Sequence, residues 1–396
     1  MIKYEQGTGA PCGDQGGSVY GTGQDAPTSE AHPYETSLVT WPVGVPRVYC
    51  PIVPANGIHP QAEKVGERSV EWLAGFGIFD SDGSLRRQIV ASRVGEAVGR
   101  AAPLASDAGL QLYADWSAAA FTFDDFYCDM GPTSTRPDEF LEVAMRVLYR
   151  IERPEAARWD ETLLSDAFAD LSRRVRSLAP MMWPSWVTGH KDWVLGSVCG
   201  IAQRTGARGR PADIADHLAT RVSDGAMSLN HALIEMAEGT RLPDELRGGP
   251  TVAAATAAAY TLVLLANDLV SYRREAEAGA TNTNCVTLLA PTGGSVEDGM
   301  EKVVRLHDRI MSLYIRLSHQ LKATRDERLR RYIDQLSTYI RANLDWSLTV
   351  PRYRAHPSSG ASVSAAVTGW STEPSDGSLA APPIPSIAWW WEQLRA

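Results

Sequence analysis

Cysteine is scarce in this chain of 396 residues: Cys12, Cys50, Cys128, Cys199 and Cys285 are scattered, odd in number and never spaced as CxxC. That speaks against a disulfide framework and against a zinc site, and a reducing cytoplasmic setting is the simplest expectation. Positive charge is also short. The formal net charge is -9, which excludes a non-specific nucleic-acid binder but leaves room for an anionic ligand held by local positive charge. The start lacks a basic segment followed by an apolar one, so no signal peptide is expected. The longest apolar run, Thr251 to Ala266, falls short of the roughly 20 residues of a membrane span. It reads as a buried core helix, and no span is expected. Strand-like alternation of β-branched residues is nearly absent.

What is present is helical periodicity. Ala, Leu, Arg and Glu recur with apolar residues three and four apart over 86–101, 136–151, 160–178, 212–238, 251–277 and 299–347, with Gly and Pro clusters between them. An all-α domain is expected from 45 to 355. Residues 1–44 are rich in Gly, Ser, Thr and Pro and read as a disordered arm; residues 356–396 form a low-complexity tail with a Trp-rich end, Trp389-Trp390-Trp391. Three adjacent tryptophans are too apolar for a purely solvated tail.

Two motifs carry chemistry. Phe121-Thr-Phe-Asp124-Asp125-Phe-Tyr-Cys128-Asp129 closes an apolar helix. Carboxylates there face both burial and the negative end of the helix dipole, and divalent cations resolve both problems. Taken alone, the cluster fits a solvated helix end equally well. The second motif is more specific: Asn267, Ser271 and Glu275 stand at i, i+4 and i+8, on one face of an apolar helix. An amide oxygen, a hydroxyl and a carboxylate in a row suit a hard cation such as Mg²⁺ and make a poor zinc site. Arg274 beside them can reach a phosphate oxygen.

These motifs resemble the aspartate-rich and NSE motifs of bacterial class I terpene synthases. Asn267, Asp268, Ser271, Arg274 and Glu275 match the pattern N-D-x-x-S-x-x-K/R-E throughout. Asp124, Asp125 and Asp129 match the longer bacterial form of the acidic motif; in the shorter DDxxD form the third position falls on Cys128. Arg221 lies 46 residues before Asn267, where the family carries its diphosphate sensor, with Asp224 and Gly225 at the linker and effector positions. Trp346 and the Arg352-Tyr353 pair match the end of the family's last helix, and His59-Pro60 followed by Trp72 looks like the family's start.

The resemblance implies a single-domain antiparallel helical bundle with an active-site cavity between helices. It further implies a small prenyl diphosphate substrate and three Mg²⁺ ions. Asp124, Asp125 and Asp129 are the ligands expected on one side of the mouth; Asn267, Ser271 and Glu275 are expected on the other. Arg221, Arg274, Arg352 and Tyr353 are expected on the diphosphate. Asp224 would hold the Arg221 fork, and Gly225 would break its helix and expose a carbonyl. Phe121, Trp193 and Trp346 are the candidate aromatic faces for a carbocation. The expected substrate is farnesyl or geranylgeranyl diphosphate; Gly196, Ser197 and Gly200, if they line the pocket, favour the longer one. Tyr49-Cys50-Pro51 and the acidic segment are reminiscent of 2-methylisoborneol synthase-like members, so methylated geranyl diphosphate is an alternative. A non-catalytic isoprenoid-binding helical protein is another, and a homodimer is the assembly kept open. A class II cyclase is excluded because no D-x-D-D motif is present.

Overall fold

The computed structural model of the chain describes residues 46–129, 131–205, 213–277, 281–353 and 369–395, with the side chains of Asn282 and Arg352 outside the description. The N-terminal arm expected over 1–44 and the first part of the tail therefore lie outside the described residues. The helices are α1 (Ala62–Ala74), α2 (Ser84–Ser92), α3 (Val94–Ala101), α4 (Asp107–Phe123), α5 (Pro137–Glu152), α6 (Leu164–Leu178) and α7 (Trp183–Arg204). They continue with α8 (Ile214–Asp224), α9 (Met227–Ala237), α10 (Asp244–Arg247), α11 (Pro250–Glu277), α12 (Cys285–Leu289), α13 (Val296–Lys322), α14 (Glu327–Thr349) and α15 (Pro385–Ala388). The expected all-α class is what the chain adopts. Two-residue strands β1 (Val48–Tyr49) and β2 (Trp370–Ser371) pair in parallel and form the sheet seen among the described residues.

Starts and breaks follow local chemistry. Ser106 caps α4 by accepting from the Gly109 N–H, and Ser295 and Asp298 form a capping box on α13, each satisfying an amide the helix cannot. The periodic stretch 86–101 is cut at Arg93, whose φ of 48° is left-handed. The stretch 212–238 is cut after Asp224, as Gly225 suggested, but the left-handed residue is Ala226 (φ 51°), while Gly225 keeps φ -78°. A Cβ at Gly225 would stand 2.6 Å from Leu264 Cδ2, the movable end of that side chain, which would have to shift.

Helix α11 is the central element, packed on α13, α14 and α8. At 28 residues it is long and apolar enough to cross a membrane, a length the Thr251–Ala266 run understates. Most of its apolar window is buried inside the bundle. One core gathers around α11, α13 and α14; the other is built from α1, α3–α7 and α9.

The Trp-rich end is part of the packing. Trp390 and Trp391 are buried in the α11–α14 core, and Gln320 on α13 donates to the Gln393 carbonyl. The Tyr49 and Ser375 amides both donate to Asp308 on α13, at 2.8 and 2.7 Å. The domain boundary expected at 355 is therefore not where contact with the bundle ends.

Gly196 does not widen a pocket. A Cβ there would lie 2.1 Å from the Asp224 nitrogen, and one at Gly200 would lie 3.2 Å from the Asp224 carboxylate. These glycines let α7 approach α8, and neither they nor Ser197 line the cavity described below. Backbone cannot yield as a flexible side chain does, so Gly196→Ala is expected to cost about 3 kcal/mol. Thermal unfolding checks this: a Tm several degrees below wild type is expected, and an unchanged Tm contradicts the packing assigned to Gly196.

Candidate active site

Between the two cores lies a cavity of about 510 Å³. Residues of α3, α4, α7, α8, α9, α11 and α14 wall it, with Tyr353 of the turn after α14. One end is polar, with Asp124, Asp129, Arg204, Arg221, Asn267, Arg274 and Glu275. The rest is mostly apolar and aromatic.

The acidic segment does not continue α4 as an α-helix. Residues Asp124–Asp129 form one turn of π-helix. An i→i+5 turn sets residue 129 beneath residue 124, and the extra residue of the longer motif is absorbed. Carboxylate oxygens of Asp124, Asp125 and Asp129 all come within 4.8 Å of one another, while Cys128 is buried and does not line the cavity. Asp125 is itself buried. It accepts from Gln88 Nε2 at 2.6 Å and from Arg274 Nη2 at 3.2 Å.

Across the mouth, α11 presents the ladder. The Ser271 hydroxyl donates to Glu275 Oε1 at 2.6 Å, and Asn284 Nδ2 donates to Glu275 Oε2 at 2.9 Å. Asn267 Nδ2 donates to the Tyr353 hydroxyl at 2.8 Å. Burial pushes the Glu275 carboxyl above its ordinary range, and nearby Asp268 adds to the push. Arg274 spans the gap, donating to Asp129 at 3.4 Å as well as to Asp125. The expectation that Arg274 serves a diphosphate thus meets an arginine that here neutralises the acids.

Arg221 is fixed by several partners. Its Nη1 donates to Asp224 Oδ2 at 3.1 Å; its Nε and Nη2 donate to Asp268 Oδ1 at 3.3 and 3.2 Å; Nη2 also reaches Asn267 Oδ1 at 3.3 Å. Asp268 therefore holds the fork together with Asp224. Burial disfavours charge on Arg221, but Asp268, Asp224 and Glu275 outweigh it and hold the guanidinium above its usual pKa. Burial likewise opposes ionisation of Asp268, yet Arg221 and His217 hold its carboxyl below the ordinary range. Asp268 Oδ2 also accepts the Cys285 N–H at 2.9 Å.

Phe121, Trp193 and Trp346 all line the cavity. Phe121 and Trp346 lie parallel, 6.0 Å apart, and Trp346 donates its indole N–H to the Ser92 carbonyl at 3.0 Å. The side chain of Arg352 lies outside the described residues.

Several cavity residues had no signal in spacing. Trp116 lines the cavity, and its indole N–H donates to His190 Nε2 at 3.1 Å, while His190 Nδ1 bonds the Trp186 carbonyl at 2.8 Å. Burial lowers His190 to about 4. The ring is neutral at physiological pH, with Nδ1 carrying the proton, so it orients Trp116 without placing a charge beside the cavity. Tyr113, Asn230 and Arg204 also line it. Gln88 and Asn284 support the two motifs from outside.

The donor set consists of oxygen atoms, gathered in two clusters that line one cavity, with Arg274 of the ladder helix reaching Asp125 and Asp129. It fits hard divalent ions. An all-α bundle with two such clusters at the mouth of an aromatic cavity, and an arginine fixed by carboxylates beside the ladder, is the arrangement of a class I terpene cyclase. The family model "Terpene synthase family 2, C-terminal metal binding" matches residues 115–312. The chain is 32% identical over 362 residues to (+)-(1(10)E,4E,6S,7R)-germacradien-6-ol synthase of Streptomyces pratensis, covering 89% of this chain and 97% of that protein. It is 29% identical to spiroviolene synthase of Streptomyces violens, covering 88% and 97%. The crystal structure of SVS_A2, a protein from ancestral sequence reconstruction, superposes with a TM-score of 0.76 at 31% identity, covering 88% of this chain and 98% of that one. The chain belongs to the terpene synthase family: it is a divalent-metal-dependent lyase that cyclises a prenyl diphosphate.

Proposed function

We propose that the chain is a Mg²⁺-dependent cyclase of farnesyl diphosphate. The observation that carries this is that the Asp124/Asp125/Asp129 oxygens cluster within 4.8 Å, that Asp124 and Asp129 line the same cavity as Asn267, Ser271, Glu275 and Arg221, and that Arg274 of α11 reaches from the ladder to Asp125 and Asp129. Three Mg²⁺ ions are proposed, two on the acidic side and one on the ladder. When bound they neutralise the acids and draw charge from the leaving diphosphate.

The protein's own part is positional. Arg221 is held rigid by Asp224 and Asp268 and presents its remaining N–H capacity to the diphosphate. Arg274, Arg352 and the Tyr353 hydroxyl add donors there. Residues Phe121, Trp116, Trp193 and Trp346 turn aromatic faces to the hydrocarbon and stabilise positive charge without acting as nucleophiles. A cavity of this character excludes bulk water, which would otherwise quench the cation.

Farnesyl diphosphate is favoured by relatives whose names carry it, such as the (+)-T-muurolol synthase of Streptomyces clavuligerus, "(2E,6E)-farnesyl diphosphate cyclizing", 30% identical over 349 residues. Gly196 and Gly200 serve helix packing and do not enlarge the cavity for geranylgeranyl diphosphate. The methylated geranyl reading rested partly on Tyr49-Cys50-Pro51; those residues lie at the β1–β2 pairing, outside the cavity lining. A cytosolic setting fits the free thiols of Cys50, Cys128, Cys199 and Cys285.

The test is diphosphate release with Mg²⁺ from farnesyl, geranylgeranyl and 2-methylgeranyl diphosphate in separate reactions, with products read by mass spectrometry. Release is expected fastest from farnesyl diphosphate, with a cyclic product. Faster turnover of another chain length reassigns the substrate; no release from any of the three overturns the proposal.

A further inference from the structure

The end of the cavity away from the acids is not purely hydrocarbon. Tyr113, Ser117 and Asn230 line it near Val98 and Ala101. Residues 113 and 124 are eleven apart in the sequence, so at 1.5 Å per residue Tyr113 lies about 16 Å along the helix from the acidic mouth. A diphosphate at the mouth sends its prenyl chain toward these groups.

The Tyr113 and Asn230 side chains are joined to each other, Ser117 bonds the main chain of α4 one turn back, and none of the three is saturated. The Tyr113 hydroxyl donates to Asn230 Oδ1 at 3.2 Å, Asn230 Nδ2 donates to the Ala226 carbonyl at 3.1 Å, and the Ser117 hydroxyl donates to the Tyr113 carbonyl at 2.9 Å. Asn230 keeps one amide proton and one carbonyl lone pair, while the Tyr113 and Ser117 oxygens can each still accept. Polar capacity turned toward hydrocarbon is costly unless something meets it. A single water is satisfied by two to four polar partners, which these side chains supply. Burial pushes the Tyr113 phenol well above its ordinary pKa, so it stays neutral and acts as a hydrogen-bonding wall rather than a base.

We propose that Asn230, with Tyr113 and Ser117, seats one water against the hydrocarbon end of the substrate, and that this water captures a ring carbocation to give a terpene alcohol. The inference rests on the prenyl diphosphate cyclase reading above and goes beyond it by naming how the reaction ends. Ionisation breaks the C–O bond to diphosphate. Ring closure moves the positive charge onto a ring carbon. A lone pair of the seated water forms the new C–O bond, and the surplus proton of the resulting oxonium is taken up by the released diphosphate. One prenyl diphosphate and one water give one terpenol and one protonated diphosphate, and no oxidant is needed. Dryness elsewhere in the cavity is compatible with this, because the water is held at one position instead of exchanging with bulk.

The experiment uses the full chain with Mg²⁺ and farnesyl diphosphate, with geranylgeranyl diphosphate in parallel, in water enriched in oxygen-18. Diphosphate is quantified and products are identified by gas chromatography–mass spectrometry. The expected product is an alcohol carrying the heavy isotope. In Asn230→Leu and Tyr113→Phe, the alcohol formed per diphosphate released is expected to fall at least about tenfold in favour of hydrocarbon. This ratio does not depend on how fast either variant turns over. Diphosphate release accompanied only by unlabelled hydrocarbon in the wild type overturns the proposal and leaves the cyclase reading standing. Labelled alcohol at the wild-type ratio in both variants also overturns it, by placing the water elsewhere. Failure to release diphosphate at all overturns the underlying reading, and this inference with it.

Discussion

Asn267→Leu removes diphosphate release by at least about 10³-fold while leaving the helical fold intact. Asn267 sits at the top of the ladder on α11, half-buried, with its amide divided between the Arg221 guanidinium and the Tyr353 hydroxyl. Leucine is close to asparagine in size, so packing in the helix is largely conserved. What disappears is an oxygen donor, which no other atom on that face of the turn replaces. Steady-state release with Mg²⁺, measured beside circular dichroism and Tm, checks this. A variant with near-normal turnover means that Asn267, Ser271 and Glu275 are a structural polar stripe and that the metals bind elsewhere. An inactive and unfolded variant carries no such information, and Asn267→Asp then serves as the second substitution: it keeps an oxygen donor and is expected to retain more activity than leucine.

Arg221→Met is expected to lose both activity and stability. Arg221 is the main cationic partner of Asp268, whose side chain is 2% exposed. Removing one partner of a buried pair leaves an uncompensated charge, a penalty of about 3 kcal/mol here because Asp268 keeps the Cys285 N–H. The activity loss is expected at about 10³-fold in kcat/KM, since the fork on the diphosphate goes as well. Arg221→Lys separates the two roles. It restores a positive charge near Asp268 and so recovers part of the lost Tm, but it has no planar fork, and turnover is expected to stay at least about tenfold down. Diphosphate release and thermal unfolding on both variants are the measurements. Wild-type release from Arg221→Met would refute the sensor role, and an unchanged Tm would refute the claim that Arg221 neutralises Asp268.

The two predictions differ in what made them visible. The Asn267–Glu275 ladder is a local feature. Three residues four apart in a helix share a face wherever the helix goes, so spacing and side-chain chemistry were enough. The helical class, the burial of the α11 segment and the 46-residue distance from Arg221 to Asn267 are legible for the same reason.

Other features depended on which surfaces meet. Asp129 stands a residue too far along for an α-helical DDxxD face, and only the π turn over Asp124–Asp129 brings the three carboxylates together. Gly225 was expected to break its helix, and the break is there, but the left-handed residue that turns the chain is Ala226. Gly196 and Gly200 looked like pocket-widening residues and proved to be spacers between α7 and α8. Trp116, Tyr113 and Asn230 carry no motif; they line the cavity because α4 and α9 turn those faces inward. The Trp389–Trp391 end followed a low-complexity stretch, yet it closes over the α11–α14 core.

The sequence by itself determined the helices, the two metal-binding patterns and the arginine at a set distance from them, because each is a matter of periodicity and donor chemistry along one chain. Only the tertiary structure decided which residues wall the cavity, what holds Arg221 and Asp125 in place, and why the small residues are small. Those depend on contacts between segments far apart in the chain, and side-chain spacing within one helix carries no record of the surface it will meet.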